Sequence, residues 1–454
     1  MKLKFSWINS RKSLFFSSFI DFSIISYFFF AIFKTSISSL SILIILNLSN
    51  SFIWIISSYI FGRYENSQVK RVNIFTNQFF KTVINISLNL LITQVIFRFF
   101  WNWDYMNFDS FSNFLNDFLG FYKTIFIFSG LSQFSINLFL ANKFSSKSVW
   151  FFLGNFEREK YFKNLIGSKT YFKIKQLDHE NNSIEQVNAK GIVIDDEEIF
   201  RRENIQFLFK AHNEGLKVMK ISNWCERYLN RYPSELIKLS EIIEGKFSHD
   251  QFSFKAKIKR IVESILSLII LIFSSPIILL AGLLIKIEDG GPIFYSQIRN
   301  GFEGKQFRII KLRTMITNAE KYGEQWADKS DSRITNIGHF LRKLRIDELP
   351  QLLLVLSGDM SLIGPRPERP KIDNLLRKHI KNYDLRYSIK PGISGWAQVN
   401  YPYGASIEDS KLKLSYDIYY IKNFSILLDF MIVFKTIKII MNGKGSIPIK
   451  KNNN

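Results

Sequence analysis

Four apolar stretches, near residues 14–33, 38–61, 79–99 and 117–140, constrain this chain more than any other feature of its sequence. Each is close to the ~20 residues that a helix needs to cross the hydrocarbon core of a bilayer. They predict a bundle of four transmembrane helices over residues 1–145, although Ser and Asn interrupt the second and fourth stretches. Flanking charge gives the bundle a direction. Lys2, Lys4, Arg11 and Lys12 precede the first stretch, Arg63, Lys70 and Arg71 separate the second from the third, and Lys143, Lys147 and Arg158 follow the fourth. The other two loops are poor in base, and the later one carries Asp104 and Asp109. The positive-inside rule therefore predicts a cytoplasmic N-terminus and a cytoplasmic chain beyond residue ~142. No cleavable secretory signal is expected, since the first apolar stretch lacks a small-residue cleavage site and further stretches follow.

The formal charge is +22, part of which reflects a composition rich in Asn, Ile, Lys and Phe. Beside long apolar runs, a basic balance points to anionic lipid or phosphorylated substrates rather than nucleic acid. Cys225 is the single cysteine, so no disulfide forms within the chain. With five scattered histidines, a structural zinc site is not expected.

Residues 146–250 read as a small, degenerate Rossmann-like α/β domain. Val149–Gly154, Gly191–Asp195 and Leu216–Ile221 are strand-like, with helical patterns between them. A dinucleotide-binding turn needs further glycines after Gly154, and this chain has Asn155, Phe156, Glu157, Arg158 and Glu159 there. Bulk and acid at those positions oppose a pyrophosphate, so a spacer or regulatory role is favoured over a nicotinamide enzyme.

A third domain, 251–454, opens with a fifth apolar run, Ser264 to Ile285, whose middle holds Ser274, Ser275 and Pro276. Proline removes a backbone donor and clashes with the preceding turn, so a kink is predicted there, and serine hydroxyls can satisfy the freed carbonyls. Lys255, Lys257, Lys259 and Arg260 lie before the run and Lys286 after it. Bases at both ends suit a re-entrant helix over 261–287 that dips into the bilayer and returns to the same face; a kinked span is the other reading. The rest of the domain reads as α+β. Gly301 and Gly304 bracket a hairpin, and the apolar segment Phe424–Met441 suits either lipid contact or packing against the domain.

The chemistry concentrates in Asp347 and Glu348, followed by Gly358 to Pro367. Asp347 is placed like the cap of a helix Leu352–Leu356, where an N-terminus would keep it ionised and help bind phosphate. A carboxylate can attack phosphorus, and a neighbouring one can hold magnesium together with substrate phosphates. Arg366 is confined between Pro365 and Pro367, so its guanidinium is presented to phosphate oxygens at low entropic cost. Lys311, Arg313, Arg333, Arg342 and Arg345 add positive charge nearby in sequence. Taken singly, an Asp-Glu pair is a capped first turn and a lone base is a solvated surface residue; the clustering is what makes a site.

Four blocks carry a family resemblance: Gly291–Phe294 with Arg299 and Gly301; Lys311–Met315; Asp347–Gln351 with Gly358–Pro367; and Lys390–Asn400, which includes Gln398. From about Lys259 onward the chain resembles the bacterial sugar transferases, the polyprenyl-phosphate hexose-1-phosphate transferases. The preceding spans and middle domain resemble that family's large, undecaprenyl-phosphate-using branch. The resemblance implies an inner-membrane enzyme with a cytoplasmic catalytic domain. Asp347 would be the nucleophile and Glu348 a magnesium ligand. Arg366, Lys311, Arg313, Arg345, Pro365, Pro367 and Gln398 would bind the nucleotide or its phosphates, and Ser275–Pro276 would be the helix break. Substrates would be a UDP-sugar and undecaprenyl phosphate, with UDP-glucose favoured over UDP-galactose or a UDP-N-acetylhexosamine. Glu263, Leu354 and Ile298 depart from the common Asp, Asn and acid at their positions. A non-catalytic assembly protein for polysaccharide export is the remaining class, and loss of the acid pair would mark it. Oligomeric state stays open, with a homodimer through the middle domain as one reading.

Overall fold

The computed structural model describes residues 11–37, 39–64, 71–101, 111–143, 148–167, 172–176, 189–195, 202–247, 253–319, 331–401, 404 and 406–442. The flanking residues Lys2, Lys4, Lys70, Asp104, Asp109 and Lys147 lie outside these. The chain divides into two compact units, Met1–Met219 and Lys220–Asn454.

In the first unit, helices Lys12–Phe33, Leu40–Ile60, Arg71–Trp101 and Phe111–Lys143 follow the apolar stretches. Each contains a segment long and apolar enough to cross a membrane. Their packing is the reverse of a soluble bundle's: Phe19, Tyr27, Leu91 and Val95 are exposed while Asp21, Asn50, Arg63, Asn85 and Asn89 are buried. In the first helix the buried positions are Ser17, Asp21, Ile25, Phe29 and Phe33, one face at a strict spacing of four. The Asp21 carboxylate is the hub. It accepts from Trp54 Nε1 (3.2 Å), Arg63 Nη1 (3.2 Å), Tyr64 OH (2.9 Å), Ser129 Oγ (2.7 Å) and Gln133 Nε2 (3.1 Å). Polar groups removed from water must find partners inside the protein, and these join three segments of the bundle to the first helix.

The same unit holds a four-stranded sheet of order β2-β1-β3-β4: Ser148–Leu153 (β1), Phe172–Gln176 (β2), Ala189–Ile194 (β3) and Lys217–Lys220 (β4). β1 runs parallel to both β2 and β3. Helix Phe156–Ile166 follows β1, capped by Asn155 Oδ1, which accepts from the Arg158 amide at 2.9 Å. Arg158 pairs with Asp195 at 3.4 Å across the strand ends. β2 is an addition to the three strands expected. Its Phe-Lys-Ile-Lys-Gln is short and half polar, as befits an edge strand, and so lacks a buried strand's signature.

The second unit begins with Ile221–Phe247, which packs on the motif Lys390–Asn400 and on helix Ile407–Lys422. The Asn230 carbonyl accepts from Trp396 Nε1 (2.9 Å), the Tyr232 amide donates to the Ser415 carbonyl (2.7 Å), and Glu226 pairs with Lys422 (2.8 Å).

Helix Phe254–Asp289 is continuous through Pro276. Pro276 cannot donate to the Ile272 carbonyl one turn back, and the Ser275 hydroxyl takes that place at 2.8 Å. Both ends of this helix pack on the same unit. Near its start, Lys259 reaches the Ile363 carbonyl (3.1 Å) and Asp429 (2.9 Å), and Glu263 accepts from Ser361 Oγ (2.6 Å). Near its end, Ala281 and Ile285 share a core with Leu312 and Leu341, and Asp289 pairs with Arg313. Between the two, Ile272, Phe273 and Leu279 are exposed.

The strands Phe294–Asn300 (β5) and Gln306–Leu312 (β6) form the expected antiparallel hairpin, turned through Gly304 at φ 72°. Ser361–Ile363 (β7) and Gly392–Ser394 (β8) pair in parallel, which joins the third and fourth motif blocks. Here glycine is required: a Cβ on Gly364 would lie 2.3 Å from the Lys390 carbonyl oxygen. Helix Ile426–Met441 buries Leu428, Met431 and Ile432 against the unit and leaves Leu427, Phe430 and Met441 exposed.

Candidate active site

Helix Asn336–Leu344 ends at Arg345, whose backbone is left-handed at φ 56°. A side chain there is strained by about 1 kcal/mol or more. The turn starts a 3-10 helix, Ile346–Gln351, that carries Asp347 and Glu348. This corrects one expectation: Asp347 does not cap the helix Leu352–Ser357 but sits within the tighter turn before it, ahead of Pro350.

Asp347 and Glu348 are both buried. Each Glu348 oxygen has its own guanidinium: Arg366 Nη2 lies 2.7 Å from Oε1 and Arg345 Nη1 3.1 Å from Oε2. Arg345 Nη1 also reaches Gln398 Oε1 at 3.2 Å. Burial disfavours a charge on Glu348, but Arg345 and Arg366 outweigh it and hold the carboxyl below its ordinary range. Asp347 moves the other way. Burial and then the charge of Glu348 push its carboxyl up, opposed by Lys311, Arg342 and Arg345. Although it lies in the first turn of that 3-10 helix, its carboxyl is not held low, contrary to expectation. Among the described residues, no donor hydrogen-bonds the Asp347 side chain. Lys311, on β6 with its ammonium 5.4 Å from the Tyr295 ring centre, is pushed down to about 8, first by burial and then by other cations. The two carboxylates are thus driven apart, one kept charged by ion pairs and one poised to titrate.

The structure gathers Asp347, Glu348, Arg345, Arg366, Lys311 and Gln398 in one place. Arg342 joins them electrostatically and donates to Thr314 Oγ1 at 2.8 Å. Arg313 lies outside the cluster, bonded to Asp289 and, at 2.6 Å, to the Pro292 carbonyl. Arg333 pairs with Asp331 at 2.6 Å. Ser275 and Pro276 are in the long helix, away from any charged group named here.

Pro365 and Pro367 frame Arg366 in a loop whose three successive carbonyls are each held. Pro365 O accepts from the Gly392 amide (2.9 Å), Arg366 O from Arg386 Nη2 (2.6 Å) and Pro367 O from Arg299 Nη1 (3.2 Å). Arg386 was not among the sequence candidates. It lies beyond the acid block and before the Lys390 block, with no local pattern to distinguish it from the chain's many other bases.

The donor set suits a magnesium ion, with adjacent carboxylates from the protein and the remaining ligands from substrate phosphates and water. Among the described residues no three His, Cys, Asp or Glu side chains gather to bind a metal without substrate.

Comparison with known proteins finds similarity over the C-terminal part of the chain. The family described as bacterial sugar transferase matches residues 254–443. The chain is 47% identical over 191 residues to a UDP-N-acetylgalactosamine-undecaprenyl-phosphate N-acetylgalactosaminephosphotransferase of Aeromonas hydrophila, covering 42% of this chain and 45% of that protein. It is 48% identical over 129 residues to a putative undecaprenyl-phosphate N-acetylgalactosaminyl 1-phosphate transferase of Bacillus subtilis, covering 28% of this chain and 72% of that one. It is 39% identical over 181 residues to a UDP-glucose:undecaprenyl-phosphate glucose-1-phosphate transferase of Caulobacter vibrioides, covering 39% and 68%. The chain thus spans less than half the length of the Aeromonas protein.

Proposed function

The chain belongs to the bacterial sugar transferase family, and from that premise we propose that it transfers a hexose-1-phosphate from a UDP-sugar to undecaprenyl phosphate. The observation that carries the reading is the division of labour in the acid pair. Glu348 is held charged by two arginines, while Asp347 beside it is buried and takes no hydrogen bond among the described residues.

An Asp347 carboxylate oxygen attacks the sugar-proximal phosphorus of the UDP-sugar. The phosphorus–oxygen bond to the nucleoside phosphate breaks and UMP leaves with its electron pair. An oxygen of undecaprenyl phosphate then attacks the same phosphorus, restores the Asp347 carboxylate and yields undecaprenyl-diphosphate-sugar. Arg366 and Arg345 neutralise charge that the diphosphate brings, and Lys311 adds a cation on the Asp347 side. Magnesium would be held by Glu348, and when bound it neutralises the diphosphate. Positioning and charge supply most of the acceleration, as in other phosphoryl transfers.

The lipid acceptor demands a site at the membrane. Support comes from the helix Phe254–Asp289, packed on the unit at both ends, with Pro276 inside it and an exposed apolar middle. We read it as re-entrant, with the catalytic unit on the cytoplasmic face of the inner membrane and the four N-terminal helices spanning it. A mass-resolved assay of UMP release from a panel of UDP-sugars, with and without undecaprenyl phosphate, tests the reaction. Release without a phosphosugar adduct on Asp347 would overturn the covalent route.

The sugar has a second reading. The sequence resemblance favours UDP-glucose, but the matches to N-acetylgalactosamine enzymes stand at 47% and 48% identity against 39% for the Caulobacter glucose enzyme. UDP-N-acetylgalactosamine therefore leads the panel.

A further inference from the structure

We propose that Arg386 is a positioning residue that aims Arg366, an inference resting on the functional reading above. Its guanidinium is buried, with 8% of the side chain exposed. Nη1 donates to Tyr383 OH at 2.5 Å, and the Tyr383 ring centre lies 5.1 Å away. Nη2 donates to the Arg366 carbonyl at 2.6 Å and faces Asp417 Oδ2 at 3.5 Å. Both partners of Arg386 on its far side are themselves buried, so the fork has little freedom.

The Arg366 loop explains why this contact matters. Pro365 and Pro367 carry no amide hydrogen, so the loop cannot anchor itself through donors at those positions and depends on its carbonyls. The outer two are held by the Gly392 amide and by Arg299. The middle carbonyl belongs to Arg366 itself and accepts from Arg386. Rotating that peptide swings the Cα–Cβ bond that projects the Arg366 side chain toward Glu348. Arg386 thus controls where the outer cation of the site sits without touching substrate. A lysine keeps the charge but presents no planar fork, so it cannot serve the carbonyl and Tyr383 together.

The test is a double-mutant cycle on the full chain, comparing Arg386→Gln, Arg366→Lys and their combination. Two readouts are used: kcat/KM for UMP release and UMP affinity by calorimetry. Melting temperature reports folding. Losing the bond should cost about 10- to 100-fold in both readouts. The double variant should lose no more than the worse single one, and Arg386→Lys should recover only part of the loss. Losses that multiply, or an Arg386→Gln chain at wild-type levels, would overturn the proposal. Should Arg386→Gln fail to fold, Asp417→Asn keeps the carbonyl donor but loosens its seat, and the same cycle applies. A wild-type chain that binds UMP yet releases none from any UDP-sugar sinks the functional reading and leaves the cycle legible through binding. One that binds no UMP sinks both.

Discussion

Arg366 Nη2 lies 2.7 Å from Glu348 Oε1, joining the acid pair to the proline-framed arginine across 18 positions of sequence. The carboxylate that would face magnesium and the guanidinium that would face phosphate are therefore one ion pair before substrate arrives. On the proposed reading, a substrate phosphate would compete with Glu348 for Arg366.

Asp347→Asn removes the attacking oxygen while keeping shape. UMP release should fall by at least about a thousandfold, in keeping with loss of a nucleophile. The melting temperature should hold or rise, because a carboxylate that resists ionisation in the folded state is replaced by a neutral group. Activity within tenfold of wild type would remove Asp347 from the role.

The rate should be bell-shaped in pH. Attack needs Asp347 ionised, and its folded value is raised, so kcat/KM falls with acid sooner than an ordinary carboxylate allows. Glu348 is shifted down and stays charged across that range. On the other side Lys311 loses its charge near pH 8, giving the alkaline limb. Lys311→Arg should move that limb up by two pH units or more while the acid limb stays, as measured by initial rates of UMP release.

Topology is read by labelling. In a Cys225→Ser background, single cysteines replacing Lys257 and Ile287 should both react with a membrane-impermeant maleimide from the cytoplasmic side alone. Labelling of the two from opposite faces would make the helix a span.

Asp21 and Arg63 are a fully buried pair. Removing one partner strands the other, so Asp21→Leu should cost about 3–5 kcal/mol in folded yield or resistance to detergent unfolding. Asp21→Leu with Arg63→Leu should recover the part due to the stranded guanidinium, while Trp54, Tyr64, Ser129 and Gln133 still lose their acceptor. Equal behaviour of the single and double variants would deny the pair its role.

Trp396 stacks on Tyr419, with ring centres 5.8 Å apart, and bonds the Asn230 carbonyl. Trp396→Ala should destabilise the C-terminal unit by about 3–5 kcal/mol, seen as a lower melting temperature of the full chain. An unchanged melt would show that Trp396 and its bond to Asn230 add nothing to the stability of that unit.

The order of residues alone was enough for much that is local, though not for the short edge strand β2 or the tight turn that holds Asp347. Apolar runs marked the long helices, whose outer faces carry exposed residues such as Phe19, Tyr27, Leu91 and Val95. Gly301 and Gly304 marked the hairpin turn, and Ser275 beside Pro276 announced a hydroxyl for the carbonyl that proline abandons. The adjacency of Asp347 and Glu348 was equally plain. Tertiary structure had to decide what depends on distant segments meeting. It turned Arg313 to Asp289 and away from the acids, brought Arg386 onto the Arg366 carbonyl, and laid Asn230 against Trp396. It also set the two carboxyls on opposite courses, since burial and neighbouring charge belong to the packed molecule and leave no periodicity in the chain to be read.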